Sequence, residues 1–140
     1  MRKKEQQLWD AMRRAVPNDF WVQRIENLVG EGIPDVYVVS PTGASTWVEL
    51  KAPIGPKRAT TRLMGSEGLR PAQINWHLKA ASKGLRSFVL IREVATRKIY
   101  FIHGKYAATM NEMTGDELEA LSVGDEWKTI FWTLRKGHRS

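Results

Sequence analysis

Asp35, Glu49 and Lys51 are charged residues in a stretch of chain that otherwise reads as apolar. From Ile33 to Lys51 two runs rich in Val, Tyr, Trp and Thr flank Pro41-Thr42-Gly43, the pattern of a β-hairpin. Asp35 opens the first run, and Glu49 and Lys51 close the second. An odd-numbered loop centred on Thr42, with Gly43 left-handed, sets Asp35 across from Glu49 with Lys51 two positions along the same face. A two-residue Thr42-Gly43 loop pairs Asp35 with Leu50 and turns it to the other face. The apolar residues favour the odd loop, because it gathers Val36, Val38, Val48 and Leu50 on one face and leaves Asp35, Glu49 and Lys51 on the other.

Two carboxylates at one place repel each other and call for a compensating cation. All-oxygen ligands suit Mg²⁺ or Mn²⁺, which retain waters and also bind substrate phosphate. Such an ion activates a water and steadies a leaving oxygen, and a lysine beside it steadies the charge that develops on phosphorus. Asp35 and Glu49 are therefore the candidate metal ligands and Lys51 the candidate catalytic cation. The reaction class is metal-assisted phosphodiester hydrolysis.

The elements that must position these residues can be read in outline. Leu8, Ala11, Met12 and Ala15 recur at helical spacing, predicting a helix over 3–15 that Pro17 and Asn18 end. Glu5 falls on the stripe of Leu8 and Met12. It is either a first-turn acid complementing the helix dipole or a member of the site. Phe20 to Leu28 reads as a strand in which Arg24 and Glu26 share a face, as a solvated pair or as site residues.

A Gly- and Pro-containing loop over 52–69 carries Lys57, Arg58 and Arg62, with Arg70 at its border. Beside an acidic cluster it reads as a phosphate-contacting flap. A helix follows over 70–83, with Pro71 in its first turn, Gly84 stopping it, and Ile74, Leu78, Ala81 and Leu85 as its packing stripe. Gln73, Trp76, His77 and Ala80 lie on an adjacent face, so Gln73 can reach the site while His77 sits one turn deeper. Ser87–Val94 and Lys98–His103 read as a strand pair. Residues 105–122 read as two helical pieces with Thr114 as a cap, and Trp127–Leu134 as an edge strand.

With 140 residues, 42% of them hydrophobic, the chain is expected to form one domain: a core over about 3–104, an extension over about 105–134 and a basic tail at 135–140. No apolar run is long enough to span a membrane and no secretory signal is visible, so a cytoplasmic location is expected. The absence of cysteine excludes disulfides and thiolate metal sites. A net charge of +7 favours a polyanionic partner.

Taken together, Gly32-Ile33-Pro34-Asp35, Glu49-Leu50-Lys51, Gln73 and the turn Gly84-Leu85-Arg86-Ser87 into Phe88-Val89-Leu90 resemble the PD-(D/E)XK nuclease superfamily. The closer resemblance is to its VRR-NUC branch, many of whose small members are encoded by bacteriophages. The resemblance covers roughly residues 5–92. It implies an α/β, restriction-endonuclease-like fold, with an α-β-β-β-α-β core on a mixed central sheet. It also implies Asp35 and Glu49 as metal ligands, Lys51 as the catalytic lysine and Gln73 as a supporting helix residue. Glu5 matches the family's N-terminal acid by position and Glu26 competes for that role. The implied activity is Mg²⁺- or Mn²⁺-dependent endonucleolytic cleavage of DNA, with branched, flap or Holliday-junction DNA as substrates and dimers common. In a phage setting its place would be the bacterial cytoplasm. The long basic loop and the residues after 105 have no counterpart in that core. A non-catalytic DNA-binding module on the same fold and a basic structural protein of a nucleoprotein particle are the alternatives. Clustered carboxylates do not serve the first of these; in the second they would be engaged in salt bridges to Lys51 and Arg24.

Overall fold

The computed structural model describes residues 3–25, 31–56, 58 and 60–136; Glu26, Lys57 and the last four residues of the basic tail lie outside these. Helix α1 (Lys3–Ala15) leads to strand β1 (Trp21–Arg24), then the hairpin of β2 (Val36–Val39) and β3 (Ser45–Lys51). Helix α2 (Pro71–Ser82) follows, then β4 (Ser87–Arg92), β5 (Ile99–His103), α3 (Ala107–Met110), α4 (Gly115–Leu121) and α5 (Trp127–Arg135). The strands form one mixed sheet in the order β1-β2-β3-β4-β5, with β3 and β4 parallel and every other pair antiparallel. The parallel pair requires a crossover, which α2 supplies.

The hairpin register is the odd one. Val36 faces Val48 and Val38 faces Thr46. Three residues close the loop, with Gly43 at φ +84° and Ser40 N–H donating to the Ala44 carbonyl over 2.9 Å. The buried Ser40 hydroxyl accepts from Thr42 and Ala44 N–H groups and holds the turn. Period-two alternation then sends Val36, Val38, Val48 and Leu50 into a core with Phe88, Leu90 and Phe101. Leu8, Trp9 and Met12 of α1 cover this face, together with Ile130, Phe131 and Leu134 of α5.

The opposite face of β4 and β5, carrying Val89, Ile91, Tyr100 and Ile102, forms a second core with Leu63, Met64, Leu69, Ala107, Met110 and Leu118. Thr114 caps α4, accepting from Glu117 N–H while the Glu117 carboxylate accepts from Thr114 N–H.

Two expectations need correction. Trp127–Leu134 is a helix, not an edge strand: Trp127, Ile130, Phe131 and Leu134 recur at i, i+3, i+4 and i+7, and the last three are buried. Arg86 ties that helix down, donating to the carbonyls of Thr133 (2.5 Å) and Leu134 (3.5 Å) near its C-terminus. The buried residues of α2 are Gln73, His77 and Ala80, whereas Leu78 and Leu85 are exposed. Here hydrogen bonds to the sheet outrank hydrophobicity in choosing the inward face. The loop over 52–69 is anchored in its second half by burial of Leu63, Met64 and Leu69 and by Leu63 N–H donating to Met113 over 2.9 Å. The described part of the first strand is Trp21–Arg24, and residues 26–28 of the span expected for it lie outside the described residues.

Candidate functional site

The hairpin register decides where the acids go. One step beyond the Val36–Val48 pair, Asp35 comes opposite Glu49. The Asp35 carboxylate is pinned there because Oδ2 accepts from Leu50 N–H over 2.8 Å, and its own carbonyl accepts from Ile25 N–H over 2.7 Å. Lys51, two residues beyond Glu49 in the last position of β3, is buried with it. Asp35 is partly exposed, so the group opens to solvent on its side.

Backbone shape supports this placement. Gly32 adopts φ +87° and packs against the start of α2, where a Cβ would collide with the Ala72 carbonyl. No other residue type meets both conditions without strain. Gly32→Ala is expected to lower stability by about 1–3 kcal/mol and to displace Pro34 and Asp35 from the helix; denaturant unfolding checks the first and cleavage activity the second.

Glu49 is only 1% exposed. Its Oε2 accepts from Gln73 Nε2 over 3.1 Å, and Gln73 Oε1 accepts from Arg70 N–H over 2.9 Å. One amide therefore closes the first turn of α2 and holds the carboxylate, which requires a side chain with both a donor and an acceptor. Glu49 Oε1 has no hydrogen-bond partner and faces His77 Nε2 at 3.9 Å. Burial pushes the Glu49 carboxyl well above the usual carboxylate range, and the Asp35 carboxylate beside it pushes the same way. Lys51 pulls in the opposite direction, and Glu5 adds a smaller repulsion from the first turn of α1. His77 is completely buried and its pKa is lowered to about 4, first by burial and then by the charges of His103 and Lys51, so the ring is neutral near pH 7.

The donor set fits a hard divalent cation. Two adjacent carboxylates, one with a buried oxygen that nothing satisfies, are electrostatically frustrated without a positive charge. Among the described residues no group of three or more His, Cys, Asp or Glu side chains could hold a metal. The protein would supply Asp35 and Glu49 and leave other positions to water and phosphate, which is how Mg²⁺ is commonly held.

The basic residues expected to contact DNA are spread out. Arg58 and Arg70 are exposed, and Arg62 is exposed but paired with Glu112 over 2.6 Å. A file of aromatic rings, not anticipated from sequence, crosses the sheet. Trp21 contacts Tyr37, Tyr37 contacts Trp47, and Trp47 contacts Trp76 of α2, at centroid separations of 4.8–6.0 Å. Tyr37 and Trp47 stand two residues from Asp35 and Glu49, on the same face of their strands, so period two was the signal for it.

With this arrangement in view, the molecule can be set beside known structures. It superposes on Hjc, a Holliday junction resolvase from the archaeal hyperthermophile Archaeoglobus fulgidus, with a TM-score of 0.56 over 91% of this chain and 96% of that one. The fold is that of a Holliday junction resolvase. It is accordingly the mixed α/β, restriction-endonuclease-like architecture anticipated from the sequence. Sequence identity to this resolvase is 13%, so the resolvase likeness is one of fold alone. No protein-family model and no curated protein sequence matches the chain. No helix among the described residues is long and apolar enough to cross a membrane.

Proposed function

We propose that the chain is a divalent-metal-dependent DNA endonuclease of the PD-(D/E)XK superfamily, VRR-NUC-like, selective for branched DNA such as four-way junctions. The observation that carries this reading is the convergence of Asp35, Glu49 and Lys51, through one hairpin register, at one end of a sheet with the resolvase fold. A surface that only bound phosphate would gain nothing from burying one carboxylate beside another. The +7 charge agrees with a polyanionic substrate.

In this reading Asp35 and Glu49 hold Mg²⁺ or Mn²⁺, which when bound neutralises their repulsion and supplies an activated water next to the scissile phosphate. Lys51 places its ammonium against the phosphate to offset charge gained during attack. Gln73 keeps Glu49 from rotating, and the Leu50 N–H does the same for Asp35. Glu5 is the further acid whose field already reaches Glu49. Glu26, which lies outside the described residues, competes for that role. Lys57, Arg58, Arg62 and Arg70 are the proposed phosphate contacts away from the scissile bond.

The test is incubation of purified protein with supercoiled plasmid, flap DNA and a four-way junction, with Mg²⁺ or with EDTA. Cleavage is expected with Mg²⁺, fastest on a branched substrate and absent with EDTA. A gel shift without cleavage under any divalent ion points to a binding module instead, and cleavage of all DNAs at one rate removes the structural selectivity.

A further inference from the structure

Behind the acids lies a buried polar chain that the proposed chemistry does not use. His77 Nδ1 is 2.8 Å from the hydroxyl of Ser87, the first residue of β4, and both residues are fully buried. Gly104 backs the pair: a Cβ there would collide with Ser87 Oγ and crowd His77 Nδ1. The other ring nitrogen, Nε2, has no hydrogen-bond partner, and the nearest carboxylate oxygen is Glu49 Oε1, also unsatisfied.

Counting protons decides how this chain is wired. A neutral imidazole carries one N–H, and a serine hydroxyl carries one O–H. If the ring proton sat on Nδ1 and pointed at Ser87, the hydroxyl proton would have no acceptor in another side chain among the described residues. With Glu49 ionised, the form a cation binds, two lone pairs, on Nε2 and Glu49 Oε1, would also face each other. If Ser87 donates to Nδ1, the hydroxyl proton is used and the ring proton lies on Nε2, directed at the carboxylate. Only the second arrangement leaves no buried proton stranded.

We infer that His77 is a positioning residue for Glu49: Ser87 fixes the ring with its proton on Nε2, and that N–H grips Glu49 Oε1 while Gln73 grips Oε2. The inference rests on the nuclease reading for its consequence. A small shift of the Glu49 side chain closes the 3.9 Å gap, a tightening ordinary for catalytic contacts seen without substrate. A carboxylate held by a donor at each oxygen keeps one orientation and favours its charged form, the form a cation binds.

Two readouts on the full chain test this. Long-range proton–nitrogen NMR correlations of the protein in saturating Mg²⁺, with the His77 ring identified by its loss in His77→Leu, are expected to show the proton on Nε2. In Ser87→Ala the ring should shift to a mixture of both forms. Calorimetric titration with Mn²⁺ alone is expected to show binding weakened by about 10–100-fold in Ser87→Ala and His77→Leu, with His77→Gln recovering part of the loss through its amide donor. A wild-type proton on Nδ1, or unchanged Mn²⁺ affinity in folded Ser87→Ala, overturns the inference. If His77→Leu does not fold, Ser87→Ala and His77→Gln decide it, with His77→Gln then identifying the ring signal. Wild-type protein that neither binds Mn²⁺ nor cuts DNA defeats the nuclease reading, and the NMR result still tells whether Ser87 orients the ring.

Discussion

Lys51→Met protein is expected to cut a four-way junction at least about 10²–10³-fold more slowly than the parent while shifting the same DNA in a gel at a similar protein concentration. Methionine keeps the buried aliphatic stem that Lys51 contributes at the end of β3 and removes only the ammonium. The fold should survive, because both cores are built from other side chains. Binding should survive as well, since one cation among many supplies a small part of the counterion release on which DNA affinity depends. A loss confined to the chemical step is the mark of a group that acts on the reacting phosphate. Single-turnover cleavage beside gel-shift titration separates the two effects.

Glu49→Gln is expected to abolish cleavage and, in EDTA, to make the protein more stable. The native Glu49 carboxyl is held well above its ordinary value of 4.5 by burial and by Asp35. The folded state therefore retains this proton over a pH range in which the unfolded chain has lost it. Stability falls as pH rises through that range, because the native state binds more protons than the unfolded one. Glutamine removes that loss, and its side-chain oxygen still accepts from Gln73. The gain should show as a higher Tm near pH 8, where about 1 kcal/mol corresponds to roughly 3–5 °C for a chain of this size, and should shrink toward pH 4. Saturating Mg²⁺ should stabilise the parent and leave Glu49→Gln almost unchanged, because a ligand stabilises only a state that binds it. Thermal scans from pH 4 to pH 8, with EDTA and with Mg²⁺, check both signs. Equal stability of parent and variant in EDTA would mean that Glu49 is not under strain.

The hairpin was legible because two independent signals agreed. Gly43 marked the left-handed loop position, and the alternation of Val36, Val38, Val48 and Leu50 allowed only one register to bury all four. The acids followed from that register, which is why Asp35 and Glu49 could be paired before any coordinates. Helix α5 was not legible in the same way. Trp127-Lys128-Thr129-Ile130-Phe131-Trp132-Thr133-Leu134 is rich in aromatic and β-branched residues, and local preference pointed to a strand. Its apolar spacing of three and four decided otherwise once α1 and the sheet offered a surface to cover.

The face of α2 failed for a different reason. Reading by hydrophobicity puts Leu78 on the packing stripe and Gln73 and His77 on an adjacent face, whereas Gln73 and His77 are buried because they hydrogen-bond to Glu49 and Ser87 from a single helix face. Their i, i+4 spacing was visible, but its partners on β3 and β4 were not, since nothing local in the chain links residue 77 to residue 87. The anchoring of the long loop was not legible either. Its Gly, Pro and basic residues suggested a flap, while the pairing of its end with residues near 113 depends on contacts far along the chain.

The central claim is that Asp35 and Glu49, held at one end of the sheet with Lys51, form a site that hydrolyses DNA in the presence of a divalent cation. The most direct measurement is the time course of four-way-junction cleavage in Mg²⁺ by the parent and by Asp35→Asn, which retains an acceptor for the Leu50 N–H. The account predicts Mg²⁺-dependent cutting by the parent and none by a folded, DNA-binding Asp35→Asn protein. Equal cutting by both would contradict it.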